Sequence, residues 1–287
     1  MGYSYYDNIS RSSRALSKGY YTKSADEIFT QNALRRAHDT MLPRGIKLRE
    51  SCDSKEHPNT IPIILTLDVT GSMRKIPKEL IKDGLPTMMS TLIKAGIDDA
   101  SVLFLAIGDH INDSYPLQVG QFESGDVELD LWLTRTFLEG RGGANNGESY
   151  LLSWYFAAFH TRTDAFDKRG QKGILFTIGD EPCLENLPKR TIEELMGNSV
   201  GKGYTAIELL ELAKQKYDVY HLHVLEGEKG IKSMDYWTNL LGQNCIPVDD
   251  FKTIPHIISN IVIDNSQTKN TSKLNTNTIK DEPQIIL

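Results

Sequence analysis

The residues best suited to chemistry lie in the stretch Asp68-Val69-Thr70-Gly71-Ser72, directly after the apolar run at positions 63–67. Asp68, Thr70 and Ser72 offer three hard oxygen donors at i, i+2 and i+4, a set that suits Mg²⁺, or else Mn²⁺ or Ca²⁺. Gly71 lets the chain turn tightly between the two hydroxyls. The same residue types also cap turns and helices, because Asp, Ser and Thr side chains accept backbone N–H groups, so a plain capped turn is the competing reading. Two later stretches repeat the first pattern. The apolar run 173–178 ends in Gly179-Asp180-Glu181, and since neighbouring side chains of an extended chain point apart, one acid of the pair, Asp180, is expected to face the same way as Asp68. The glycine-rich stretch 139–149 allows close backbone approach to an ion and carries oxygens on Asn145, Asn146, Glu148 and Ser149.

These donors need a scaffold that brings distant loops together. Residues 61–68 are too short an apolar run for a helix and are followed by an amphipathic pattern over 77–92, which predicts a buried strand, a loop and a helix. The alternation continues, with strands expected at 101–107, 173–178, 219–225 and 245–248 and helices at 126–138, 148–160, 189–196, 205–216, 233–241 and 252–263. Such alternation predicts an α/β fold: a doubly wound, mostly parallel central sheet with helices on both faces. Residues 116–122 are expected to add one antiparallel edge strand. In that architecture the loops at the carboxyl ends of the strands converge, which is where Asp68, Thr70, Ser72 and Asp180 fall.

Three segments follow. Residues 1–60 form a polar, Tyr-rich extension with a helix expected over 24–41, where Ser24 and Glu27 make a capping-box pattern, and a short strand over 46–50. Its tyrosines, Tyr3, Tyr5, Tyr6, Tyr20 and Tyr21, either anchor an interface or cover core. Residues 61–264 are the α/β domain, and 265–287 are a polar tail too poor in apolar surface to fold alone, expected to be disordered.

Asp-Val-Thr-Gly-Ser resembles the Asp-x-Ser/Thr-x-Ser signature of the von Willebrand factor A (VWA) domain, whose metal-ion-dependent adhesion site, MIDAS, sits at this strand end. The resemblance extends from about 61 to 263. It implies a second metal loop at 139–149, where the family commonly has a threonine and this chain offers Asn146 or Glu148 instead, and a third-loop aspartate at Asp180. It implies a protein-recognition role in which an Asp or Glu of a partner completes the coordination, with Arg141, Asp113 and Glu181 adjusting specificity. Intracellular members often act as adaptors beside AAA-type ATPases, although this chain has no ATPase motif.

Composition sets limits on the alternatives. A formal charge of −6 and a pI near 5.7 argue against a general nucleic-acid binder. Cys52, Cys183 and Cys245 form no C-x-x-C pair, fitting a reducing compartment. The start of the chain has no signal-peptide pattern and no apolar run approaches the ~20 residues of a membrane span, so a cytoplasmic protein is expected. Neither a P-loop nor a dinucleotide fingerprint is present. His160, His221 and His223 are read as satisfied structural histidines rather than zinc ligands, and Cys183 as a small core residue rather than a nucleophile. No enzyme activity is expected: a phosphatase of the haloacid dehalogenase kind would need a second carboxylate where Thr70 stands. The remaining alternative is a structural component of a larger assembly, viral or multi-subunit, that keeps the fold as a scaffold.

Overall fold

The computed structural model describes residues 4–140, 147–225 and 227–278. Six strands make the central sheet: β1 (Ile61–Asp68), β2 (Ala100–Ile107), β3 (Leu117–Val119), β4 (Gly173–Gly179), β5 (Tyr217–Val224) and β6 (Cys245–Val248). Their order is β6-β5-β4-β1-β2-β3, parallel throughout except for β3, which pairs antiparallel with β2 at one edge. β1 lies in the middle and is apolar on both faces. Ile63, Leu65 and Leu67 join one core, while Ile64 joins the other, as a period of two requires when both faces are covered.

The covering helices are α1 (Asn8–Lys18), α2 (Leu85–Lys94), α3 (Asp126–Thr134), α4 (Tyr150–Phe159), α5 (Ala206–Lys216), α6 (Gly227–Leu241) and α7 (Ile254–Thr278). Met88 and Leu92 of α2, Leu129 and Leu133 of α3, and Ile254, Ile258 and Val262 of α7 pack on the Ile63 face. Leu151 and Trp154 of α4, Leu210 of α5 and Trp237 of α6 pack on the Ile64 face. Fully burying each such side chain stabilises the fold by roughly 1.5–3 kcal/mol, so the two layers supply most of the driving force. From β1 the chain winds outward through β2 and β3, then returns to β4 on the other side of β1 and winds outward again through β5 and β6. The reversal puts a crevice above the carboxyl ends of β1 and β4.

The N-terminal extension packs on the domain. Arg11, fully buried, pairs with Asp130 of α3 at 2.7 Å, and Arg14 pairs with the same carboxylate at 2.9 Å and also with Asp126. Tyr20 covers core, as does Phe29, while Tyr5 and Tyr21 remain exposed; Tyr3 lies outside the described residues. Arg49–Ser51 forms a short parallel pair with Thr161–Thr163.

Three expected elements differ. The capping box of Ser24 and Glu27 forms, yet the helix covers only Ala25–Ile28; Phe29 turns out of helical geometry at φ −89°, ψ 81° to bury its ring, and Gln31–Leu34 follows as a separate turn. The helix expected over 77–92 is Lys75–Glu79, a wide π turn at Leu80–Gly84, and then α2. Pro86 explains the break: it has no N–H to give and its ring crowds the carbonyl four residues back, which the wider turn accommodates. At the far end α7 runs on to Thr278, through residues expected to be disordered. Asn265, Ser266 and Thr268 bond back to the carbonyls of Ile261, Val262 and Asp264. Residues 279–287 lie outside the described residues.

Candidate functional site

The site grows from the last residue of β1. One carboxylate oxygen of Asp68 accepts the Thr70 N–H at 2.8 Å and the Thr70 hydroxyl at 2.6 Å; the other accepts the Tyr150 hydroxyl at 3.2 Å. Asp68 therefore closes a local turn, as the plainer sequence reading has it. It does not cap a helix, since the turn Gly71–Met73 has Thr70 at its N-cap with no side-chain bond. Asp68 and Thr70 are both buried, at 1% and 2% exposure.

Asp180 follows β4, the strand beside β1, and is 2% exposed. The glycine before it is required by the site: a Cβ on Gly179 would come within 1.8 Å of the Tyr150 hydroxyl and 3.1 Å of an Asp68 carboxylate oxygen. Glu148 is brought in by backbone pairing, its N–H to the Pro182 carbonyl and its carbonyl to the Leu184 N–H, both at 2.9 Å. Its side chain is buried and one carboxylate oxygen, Oε2, has no hydrogen-bond partner among the described residues. Asn146 lies outside the described residues, as does the side chain of Ser72. The structure thus brings together Asp68, Thr70, Glu148 and Asp180, and adds Tyr150 beneath them.

Electrostatics follow from this crowding. Burial, followed by the charges of Asp68, Glu181, Asp113 and Asp109, raises the Glu148 carboxyl far above the ordinary carboxylate range. Asp68 is raised as well, chiefly by burial, with Asp180 adding and the Thr70 and Tyr150 hydrogen bonds opposing. Removing carboxylates from water and setting them beside each other favours the neutral form until a cation arrives. The donor set is all oxygen, acidic and hydroxylic, and Glu148 adds a buried carboxylate oxygen without a hydrogen-bond partner among the described residues, so the residue types fit a hard divalent cation. Among the described residues no three Asp, Glu, His or Cys side chains by themselves make an ion-holding group, so a cation bound here would also need hydroxyl oxygens and water.

Sequence reasoning does not single out Tyr150, one aromatic inside the helix expected over 148–160, or the support below it. Ser149 is buried with its hydroxyl 2.8 Å from the His110 N–H, and its own N–H reaches the Gly108 carbonyl at 3.1 Å, tying the 148–149 segment to the end of β2. The position of Tyr150, two residues after an acid in a polar loop, was the available signal. His221 stacks on Trp237 at 3.5 Å and meets Tyr150 edge-on. Its partners fix the tautomers: the Gly230 carbonyl accepts from His223 Nε2 at 2.7 Å, so His223 Nδ1 accepts from His221 Nε2 at 3.2 Å and His221 Nδ1 accepts from the Thr177 hydroxyl at 2.8 Å. Both histidines are satisfied and neutral, and burial, then His223, holds His221 well below the ordinary imidazole range. His160 is elsewhere, against the carbonyls of Ile46 and Lys47, so the three do not converge. Cys183 is buried, and burial drives its thiol upward, away from nucleophilic reactivity.

No family model matches the chain, and no curated protein matches its sequence. Solved structures do. The pilus adhesin SpaC from Lactobacillus rhamnosus GG, in its open conformation, matches with a TM-score of 0.50 at 12% identity, over 76% of this chain and 31% of the adhesin. Proximal thread matrix protein 1 of the mussel byssus, with a zinc-occupied MIDAS motif, matches with a TM-score of 0.47 at 11% identity, over 75% of this chain and 49% of its own. BatB of Bacteroides thetaiotaomicron, a conserved hypothetical protein, has a TM-score of 0.45 at 13% identity, over 72% and 99%. The chain spans under a third of the adhesin's length. The likeness to the adhesin shows a shared doubly wound α/β fold, arranged as the resemblance to von Willebrand factor A domains implies.

Proposed function

We propose that this chain is a protein-recognition module whose docking point is a divalent cation, Mg²⁺ by preference, at the carboxyl end of the sheet. Asp68, Thr70 and Asp180 would hold it with Ser72 and a donor from the 139–149 loop, Glu148 or Asn146. The cation would supply a positive docking point with a position left open for an oxygen ligand. Mg²⁺ prefers six oxygens and gives up water reluctantly, so a carboxylate of a partner, Asp or Glu, is a chemically natural last ligand. The chain's own residues do the positioning: the Thr70 and Tyr150 hydrogen bonds hold Asp68 in one orientation, and the pairing of Glu148 with the 182–184 segment fixes the second loop against the third.

The observation that carries this reading is the burial of Asp68, Asp180 and Glu148 together above the crevice between β1 and β4. A buried cluster of carboxylates is costly to ionise unless a cation answers it, and a cluster that carries such a cost marks a candidate functional site. An adaptor working in a cytoplasmic complex, an AAA-type ATPase among the candidate partners, is the setting proposed. The test is affinity capture from the native host with and without chelator, beside an Asp68→Ala bait. A partner retained by the wild type in Mg²⁺ and released by chelator or by the substitution supports the module. A partner that ignores both supports the scaffold alternative.

A further inference from the structure

The N-terminal extension reaches the loops of the candidate cation site through a closed circuit of bonds. It starts at Asp26, in the helical turn Ala25–Ile28, whose carboxylate pairs with the guanidinium of Arg74, two residues beyond Ser72. The same carboxylate oxygen accepts the Asn32 side-chain amide at 2.8 Å, and the Asn32 side-chain oxygen accepts the Leu138 N–H at 2.9 Å. Two residues on, the Gly140 N–H reaches the Val69 carbonyl at 3.3 Å, and the Met73 N–H returns to the Thr70 carbonyl at 3.1 Å. The extension thus grips the first loop at both ends: at Arg74 directly, and at Val69 through the start of the 139–149 stretch. Thr70 and Ser72, two of the expected oxygen donors, fall between the two grips in the chain.

The anchors on the extension's side are firm. Ile28 and Phe29, which stand between Asp26 and Asn32 in the chain, are both buried in the core. Packing therefore holds the two polar side chains in place. The Asp26–Arg74 pair would contribute little by itself, since both side chains are reached by solvent, 65% and 36% exposed. The Asn32 bond is different: Leu138 is buried, and a buried N–H that loses its acceptor is costly. Gly140 completes the arrangement at φ +66°. A Cβ there would lie 3.0 Å from Arg74 Cδ and 3.2 Å from Arg74 Nε, so the arginine can pass this close only because position 140 has no side chain.

We propose that Asp26 and Asn32 are positioning residues of the cation site, fixing the 68–74 loop against the start of the 139–149 stretch before the ion arrives. The inference rests on the cation reading given above. Mg²⁺ demands near-ideal octahedral geometry, so donors that must be ordered at the moment of binding lower the affinity, and donors held in advance raise it. Linkage makes the effect reciprocal: if the docked extension raises affinity for the ion, the bound ion holds the extension down by the same factor. The extension is on this account a working part of the site and not only a cover for the core.

The test is calorimetric titration of Mg²⁺ into the full, chelator-treated chain, with urea unfolding in the absence of Mg²⁺ to confirm that each variant is folded. Affinity should fall about fivefold or more in the double variant Asp26→Ala/Asn32→Ala. Asp26→Glu, which keeps the carboxylate, should restore binding to within about twofold of the wild type when Asn32 is intact. Glu50→Ala is the control: it breaks an exposed ion pair of the extension with Arg162, which belongs to neither loop, and should leave the affinity unchanged. Saturating Mg²⁺ should also slow trypsin cleavage of the extension after Lys23 and Arg35 in the wild type, and by a smaller factor in the double variant. Equal Mg²⁺ affinity in the wild type and the double variant, or an equal loss in Glu50→Ala, would overturn this inference and leave the cation reading standing. No Mg²⁺ binding by the wild type would overturn both.

Discussion

The substitution Asp68→Asn in chelator-treated protein probes the electrostatics of the site most sharply. Asn keeps the shape and most of the bonds: its oxygen still accepts from Thr70, and its amide can donate to the Tyr150 oxygen. What it removes is the ionisation. In the folded wild type the Asp68 carboxyl is raised from its ordinary 3.8 to about 7, with burial the largest cause. A raised folded value means that its contribution to stability is complete below the unfolded value and is lost as pH rises through the folded one. Each tenfold difference in proton affinity between the folded and unfolded chain is worth about 1.4 kcal/mol, so between pH 5 and 8 these two values give a loss of roughly 2–3 kcal/mol. The assay is urea unfolding at a series of pH values without divalent ions. The wild type should lose stability steeply as pH rises from 5 to 8. Asp68→Asn should lose about 2–3 kcal/mol less over the same range, and saturating Mg²⁺ should flatten the wild-type curve. Equal slopes in the two proteins would refute the reasoning, because Asp68 would then not be carrying an uncompensated buried charge.

Three further outcomes follow from packing. Gly179→Ala should destabilise by about 1–3 kcal/mol, or more where the wall cannot yield, because its Cβ meets the Tyr150 hydroxyl; adding Tyr150→Phe should recover part of the loss in thermal unfolding. Asp130→Ala strands Arg11 inside the protein and should cost about 3–5 kcal/mol, with limited proteolysis cutting the extension sooner than in the wild type. Thr205→Ala removes the cap that bonds the Glu208 N–H at 3.2 Å and should cost about 1 kcal/mol in urea unfolding.

Much of the architecture was legible because the sheet is buried on both faces. Continuous apolar runs such as 61–67 and 173–178 fit a strand covered on both faces, and their ends mark the loops. The boundaries of β6 and of the helix Lys189–Met196 match the sequence reading residue for residue. Errors fell where tertiary contact overrode local pattern. Phe29 leaves its helix to reach the core, and Pro86 forces a wide turn into what periodicity reads as one helix. In the site, Asp68 and Asp180 were visible because each follows an apolar run, and Glu148 because it closes a glycine-rich stretch with oxygen donors. Tyr150 was not, since an aromatic at helical spacing looks the same whether its hydroxyl is idle or bonded to a carboxylate. The fixed tautomers of His221 and His223 were equally hidden, because they depend on a carbonyl of α6, Gly230, that no local pattern connects to β5.

The measurement that bears most directly on the central claim is calorimetric titration of Mg²⁺, and then Mn²⁺, into chelator-treated protein, with Asp68→Ala run in parallel. Saturable one-site binding in the wild type that disappears in the variant is the predicted result. No binding in either protein, or the same binding in both, would contradict it and leave the Asp68 loop as a closed turn on a structural scaffold.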